Sequence, residues 1–168
     1  MAERSVRIDP FNSEARALHG YALYLARRYE EAVSFAQSAA DLNPQNYDAY
    51  LTLEWAYEAT GRPKDALSAV DRDLFRDTAP LAWAYALLGR RSEALSVLGR
   101  VVKSASDPQG IAQVYFALGD RDNGFKWLTR AFDERQNFLS ALKFDPAFDN
   151  VRDDPRLRAL VARLKLLD

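Results

Sequence analysis

Ser13–Asn46 reads SEARALHGYALYLARRYEEAVSFAQSAADLNPQN, and the stretch after it, Tyr47–Val70, reads YDAYLTLEWAYEATGRPKDALSAV. Laid over one another at a 34-residue offset, Leu23 meets Tyr57, Arg27 meets Gly61 and Ala32 meets Ala66. Two further units follow at shorter offsets, marked by Gly89 and Gly119. One position holds His19, Leu53, Leu81 and Ile111, and four residues later the units carry Leu23, Tyr57, Tyr85 and Tyr115. Another position always holds a small residue: Ala32, Ala66, Ala94 and Gly124. Self-similarity at this period is the signature of a helical repeat array.

Each choice has a physical reason. Large residues four apart lie on one helix face and fill an interior. A small residue lets a second helix nest against the first at the usual interaxial distance of ~8–10 Å. Glycine after the first helix takes the left-handed conformation that ends it. Arg27 departs from this, so the first turn is expected to manage without glycine. Pro44 closes the first unit, because proline cannot continue a helix. The spacing predicts helices near 13–26, 29–42, 47–60, 63–75, 79–88, 91–104, 108–118 and 121–134. The third unit is six residues short, which predicts a stubby first helix entered through Asp77, Thr78 and Pro80.

The pattern resembles the tetratricopeptide repeat family, with its W-x2-L-G-x2-Y, A-x3-F and P positions. The first unit supplies Gly20, Ala32, Ala39 and Pro44, and the second supplies Leu53, Tyr57, Gly61 and Ala66. Arg16 and Tyr50 replace the tryptophan, and Asp73 stands where the first unit has Ala39. The resemblance implies an all-α, right-handed α-solenoid of about four helical hairpins with a C-terminal capping helix. On this reading the chain is one domain over 1–168. It has repeats at 13–46, 47–74, 75–104 and 105–135, and a cap at 136–168.

The two ends differ. Ile8-Asp9-Pro10-Phe11-Asn12 matches Leu42-Asn43-Pro44-Gln45-Asn46 at the same offset, so residues 1–12 read as the remnant of a preceding repeat in a longer array. An exposed N-terminal end of this kind, around residues 4–8, would also allow self-association by end-to-end stacking. At the other end Asp154-Pro155 opens a helix whose Leu157, Leu160, Val161 and Leu164 share a face. Phe144 and Phe148 are expected to bridge it to the last repeat. From Tyr115 to Leu164, GDRDNGFKWLTRAF and FDPAFDNVRDDPRLRALV resemble the closing segment of tetratricopeptide arrays attached to bacterial serine/threonine kinases, winged-helix regulators and adenylate cyclases. That likeness implies a bacterial signalling or regulatory setting.

Composition narrows the function. Twenty-three basic and 24 acidic residues leave a net charge of −1, without the basic surplus of a nucleic-acid binder. The absence of cysteine excludes disulfides, thiolate zinc sites and a cysteine nucleophile. No apolar run reaches bilayer length and residues 1–10 lack a signal-peptide core, so no membrane contact and a cytoplasmic location are expected. His19 is the only histidine and holds an interior repeat position, which points to core packing. Asp145, Asp149, Asp153 and Asp154 lack the loop glycine and closing glutamate of a calcium loop, so caps and turns explain them better. The Arg27-Arg28 and Arg90-Arg91 pairs read as solvated surface at the start of second helices. No phosphate loop or nucleophile elbow is present, so no catalytic residue and no cofactor or metal is assigned, and an enzyme is not expected.

In the family that the repeats resemble, ligands lie along the first helix of each hairpin. The matching positions are Tyr21, Trp55, Trp83 and Gln113, and one turn on, Tyr24, Glu58, Ala86 and Phe116. Aromatic residues supply large contact area at low entropy cost. One reading is a peptide-binding groove, and the other is that some of these rings pack against neighbouring helices. The positions that grip a C-terminal carboxylate in some relatives hold Ala17, Tyr21, Thr52 and Pro80, which cannot do so. Glu14, Asp48 and Glu58 give a mild acidic tint that favours a basic ligand. A protein- or peptide-binding scaffold is therefore the leading expectation, with a structural spacer or self-association module as the alternative.

Overall fold

The computed structural model describes residues 11–134 and 141–164, and its regular structure there is helical throughout. The residue 4–8 segment and the expected remnant up to Pro10 lie outside the described residues. The helices are α1 Ser13–Leu25, α2 Tyr29–Leu42, α3 Tyr47–Ala59, α4 Pro63–Val70, α5 Ala79–Leu87, α6 Arg91–Ser104, α7 Pro108–Ala117, α8 Arg121–Asp133 and α9 Pro155–Arg163. Consecutive helices pair as hairpins, α1 with α2, α3 with α4, α5 with α6 and α7 with α8. The chain falls into two compact units, Met1–Arg76 and Asp77–Asp168. Within the first, α1 packs beside α3, and within the second, α5 packs beside α7.

The helix starts are written in side chains. Asn12 and Asn46, one repeat apart, accept from the Ala15 and Ala49 amides at 2.8 and 3.0 Å. Asp107, Asp120 and Asp154 do the same for α7, α8 and α9. Such a cap stabilises a helix by about 1 kcal/mol. Asn46 also donates to the Ser13 hydroxyl at 2.6 Å, which donates to the Ala39 carbonyl at 3.1 Å, tying the starts of α1 and α3 to the end of α2.

The turn closing each first helix is one motif used four times. Arg28, Arg62, Arg90 and Asp120 donate back to the carbonyls of Leu23, Tyr57, Tyr85 and Tyr115 at 2.8–2.9 Å. The residue before each is left-handed: Gly61, Gly89 and Gly119 at φ 71°, 71° and 81°, and Arg27 at φ 60°. The first turn therefore manages without glycine by holding arginine in glycine's conformation, against the strain of a Cβ there.

Close helix approach rests on the small residues. Ala32, Ala66 and Ala94 are fully buried. A Cβ on Gly124 would lie 2.3 Å from the Phe116 ring. On α1, a Cβ on Gly20 would lie 3.2 Å from the Ala32 carbonyl and 3.4 Å from the Thr52 methyl.

Two expectations change. The helix predicted over 63–75 ends at Val70, and Asp73–Phe75 forms a separate 3₁₀ turn. A helix continued through Asp73 would bring a carboxylate to the position where Ala39 is fully buried. Leaving the helix instead lets Phe75 become fully buried, its ring 4.5 Å from Tyr47 and 6.2 Å from Tyr50. Burying that ring stabilises the fold by ~1.5–3 kcal/mol. Phe144, expected to bridge α9 to the last repeat, is 49% exposed, whereas Phe148 is fully buried among Phe116, Phe125, Leu157 and Leu160. The expected stub is present: α5 has nine residues against thirteen in α1 and α3.

Candidate functional site

The predicted groove residues separate into two groups by depth. Trp83, Gln113 and Phe116 in the second unit are buried, at 5%, 7% and 5% exposure. Phe116 belongs to the core, its ring 5.0 Å from Phe125 and 6.3 Å from Phe148. Tyr24 in the first unit is also core, held between Tyr29 at 6.0 Å and Trp55 at 5.7 Å. Tyr21, Trp55 and Glu58 are half-buried and keep surface that a ligand can touch, as does Ala86.

Tyr21 and Trp55 come together because α1 and α3 lie side by side. Their ring centroids are 5.6 Å apart, tilted by 53°, and the floor beneath them is Tyr24, Leu23, Ala32 and Ala56. Tilted pairs at this spacing add about 0.5–1.5 kcal/mol beyond area burial and fix ring orientation. Glu58 stands one turn along α3 from Trp55, the spacing at which helix side chains are neighbours.

Glu54, one turn back along α3 from Glu58, was not singled out by the groove alignment. It is fully buried, and neither carboxyl oxygen has a hydrogen-bond partner. Burial pushes its carboxyl well above the usual carboxylate range, and the nearby Glu58 adds to the effect. The signal that could have found it is the column it occupies: the other hairpins hold Gly20, Ala82 and Ala112 there, all buried.

The other sequence candidates have structural roles. His19 is half-buried with its ring 4.3 Å from Phe35. Asp145 caps the 3₁₀ turn Pro146–Val151 by accepting from the Ala147 amide, and Asp154 caps α9. Asp149 pairs with Arg152, and Asp153 with Arg158. No group of three or more histidine or carboxylate side chains placed to hold a metal occurs among the described residues. A concavity of about 400 Å³ in the second unit is lined by Leu142, Lys143, Arg152, Leu157, Arg158 and Val161. Its two arginines are already engaged, Arg152 with Asp149 and the Asp145 carbonyl, and Arg158 with Asp153. No helix among the described residues is long and apolar enough to cross a membrane.

Comparison with known proteins agrees with the fold of helical hairpins. Residues 23–84 match the family model described as Tetratricopeptide repeat. The crystal structure of a thermophilic TPR protein in Thermus thermophilus superposes with a TM-score of 0.63 at 20% identity, covering 99% of this chain and 88% of that one. No curated protein matches the chain. The family match and the structural likeness together support the tetratricopeptide repeat family and a fold of stacked helical hairpins.

Proposed function

We propose that the chain is a protein- or peptide-binding scaffold whose contact surface is the half-open ring face of the first unit, centred on Tyr21 and Trp55. Tetratricopeptide folds are generally non-catalytic scaffolds for protein interaction, which is the class of function that the comparisons support. The observation carrying the finer reading is the depth difference along the repeat. The rings of Trp83 and Phe116 serve as core, while Tyr21 and Trp55 remain half-exposed over a packed apolar floor. Rings held by neighbours lose little freedom on binding, so a partner segment meets a pre-organised surface. The resemblance of the C-terminal segment to arrays in bacterial kinases and regulators favours a signalling or regulatory setting.

The test uses the full chain as bait. Trp55→Ala is expected to lose at least ~2 kcal/mol of partner affinity, about 30-fold, with the helical circular dichroism unchanged. Leu95→Ala, at an exposed position on α6, is expected to capture normally. Undiminished capture by Trp55→Ala would sink the reading.

A second reading, a spacer or self-association module, is favoured by the outer face of α1. Thr52 and Ala56 on α3 are 1% and 0% exposed, Thr52 against Gly20 of the preceding hairpin. Leu18 and Ala22, their counterparts on α1, are exposed, Leu18 at 56%, a face on which another hairpin could stack.

A further inference from the structure

Leu18 and Ala22 lie exposed on the outer side of α1. Their equivalents are buried where one first helix lies beside another: Thr52 and Ala56 on α3 next to α1, Gly110 and Val114 on α7 next to α5. The first position of that column accepts only small residues. The Thr52 methyl already stands 3.4 Å from where a Cβ on Gly20 would be, and a Cβ on Gly110 would lie 2.7 Å from that of Ala79. Leucine is larger than threonine or glycine, so α1 is not shaped for the approach that joins α3 to α1 or α7 to α5.

Head-to-tail stacking of copies meets a second obstacle. The first hairpin receives α3 at Gly20 and Tyr24, through Thr52 and Trp55. The equivalent positions in the last hairpin, Ala112 and Phe116, are covered by Phe148, Val151, Leu157 and Leu160. That end is closed, so the face of a second copy left for α1 is α1 itself.

A two-fold axis sets residue i against j and j against i. With two α1 helices antiparallel, each Leu18 lies over the other copy's Ala22, large against small, at both ends of the contact. The same register brings the exposed Glu14 of one copy to the end of the other copy's α1, beside the exposed Arg27. Arg27 keeps its contact with the Tyr29 hydroxyl and contributes only the sign of its charge. A parallel pair would instead set Glu14 against Glu14 and align the two helix dipoles.

We propose that two copies of the chain pair through the outer face of α1, antiparallel about a two-fold axis, with Leu18 of each on Ala22 of the other. The pair is closed and does not grow into a filament. The inference rests on the self-association reading above, not on the ring surface. One pair of thirteen-residue helices, each ~20 Å long, buries less than the ~1,200 Å² of stable complexes, so the dimer is weak.

The experiment is sedimentation velocity of the full chain from about 5 to about 500 µM, a range set by the size of this contact. Half-dimerisation is expected near ~100 µM. Leu18→Glu, with unchanged circular dichroism, is expected to weaken association at least ~10-fold, because a charge replaces the apolar anchor. The register is read with cysteines, since the chain has none of its own. Leu18→Cys mixed with Ala22→Cys is expected to form the mixed disulfide in preference to either homodisulfide. Two copies of position 18 are offset by ~6 Å along the helices, too far for an unstrained bridge. A chain monomeric over the whole range overturns both this interface and the self-association reading. Association that persists in Leu18→Glu, or Leu18→Cys alone bridging as readily as the mixture, overturns the interface and leaves self-association standing.

Discussion

In the first hairpin α1 meets α2 over Gly20, where a Cβ would stand 3.2 Å from the Ala32 carbonyl. In the second hairpin the same position on α3 holds Glu54, with its whole side chain buried. At the 34-residue offset the two hairpins share their asparagine caps and closing turns, so Gly20 and Glu54 can be compared in one frame. They differ again one turn on, where the first has the core residue Tyr24 and the second the half-buried Glu58. The first hairpin uses this stripe for packing. The second gives it to carboxyl groups, and it is also the hairpin whose second helix stops after eight residues against fourteen. A repeat position does one structural job, so a residue unfit for that job is the place to look for another.

Exchanging residues between the hairpins tests this contrast. The largest effect is expected from Gly20→Glu, which forces a carboxyl between two backbones. It should cost at least ~3 kcal/mol in urea unfolding, because the new charge is buried without a partner and α2 must move. A loss below ~1 kcal/mol would mean that this position is not tight in the first hairpin. A smaller effect of opposite sign is expected from Arg27→Gly, which gives the first turn the residue found at the equivalent Gly61. Relief of the left-handed strain should raise stability by about 0.5–1 kcal/mol, read as a shift of the thermal midpoint. An unchanged or lower midpoint would show that the arginine side chain stabilises more than its backbone strain costs.

Much of the fold was legible because its punctuation is chemical. Asparagine and aspartate caps, the turn glycines and the small residues of the second helices each have a single local role, and the helices lie where these place them. The end of α4 was not legible. Residues 63–75 continue a helical pattern, and what sets the break at Val70 is tertiary: Phe75 is stacked on Tyr47 and edge-on to Tyr50, contacts between residues far apart in sequence. The candidate site was legible in position but not in depth. Alignment puts Tyr24, Trp83, Gln113 and Phe116 at the same repeat positions as Tyr21, Trp55 and Glu58. Whether a ring is core or surface depends on what other elements lay over it, as Phe125 and Phe148 do over Phe116. Glu54 could have been read from the column Gly20, Ala82 and Ala112, had each position been asked what size of residue it accepts.

The most direct measurement follows the unfolding free energy of the chain and of Glu54→Met between about pH 5 and about pH 8. Methionine fills similar space without a polar group to satisfy. Burial raises the Glu54 carboxyl in the folded chain, so its contribution to stability is intact at acidic pH. It is lost as pH rises from the ordinary glutamate value of ~4.3 through the raised folded value, by about 1.4 kcal/mol per pH unit. The methionine variant should be the more stable by at least ~1 kcal/mol near pH 8, with the gap narrowing toward pH 5. A variant no more stable than the parent near pH 8, or a gap indifferent to pH, would contradict a buried carboxyl standing unpaired in a small residue's place.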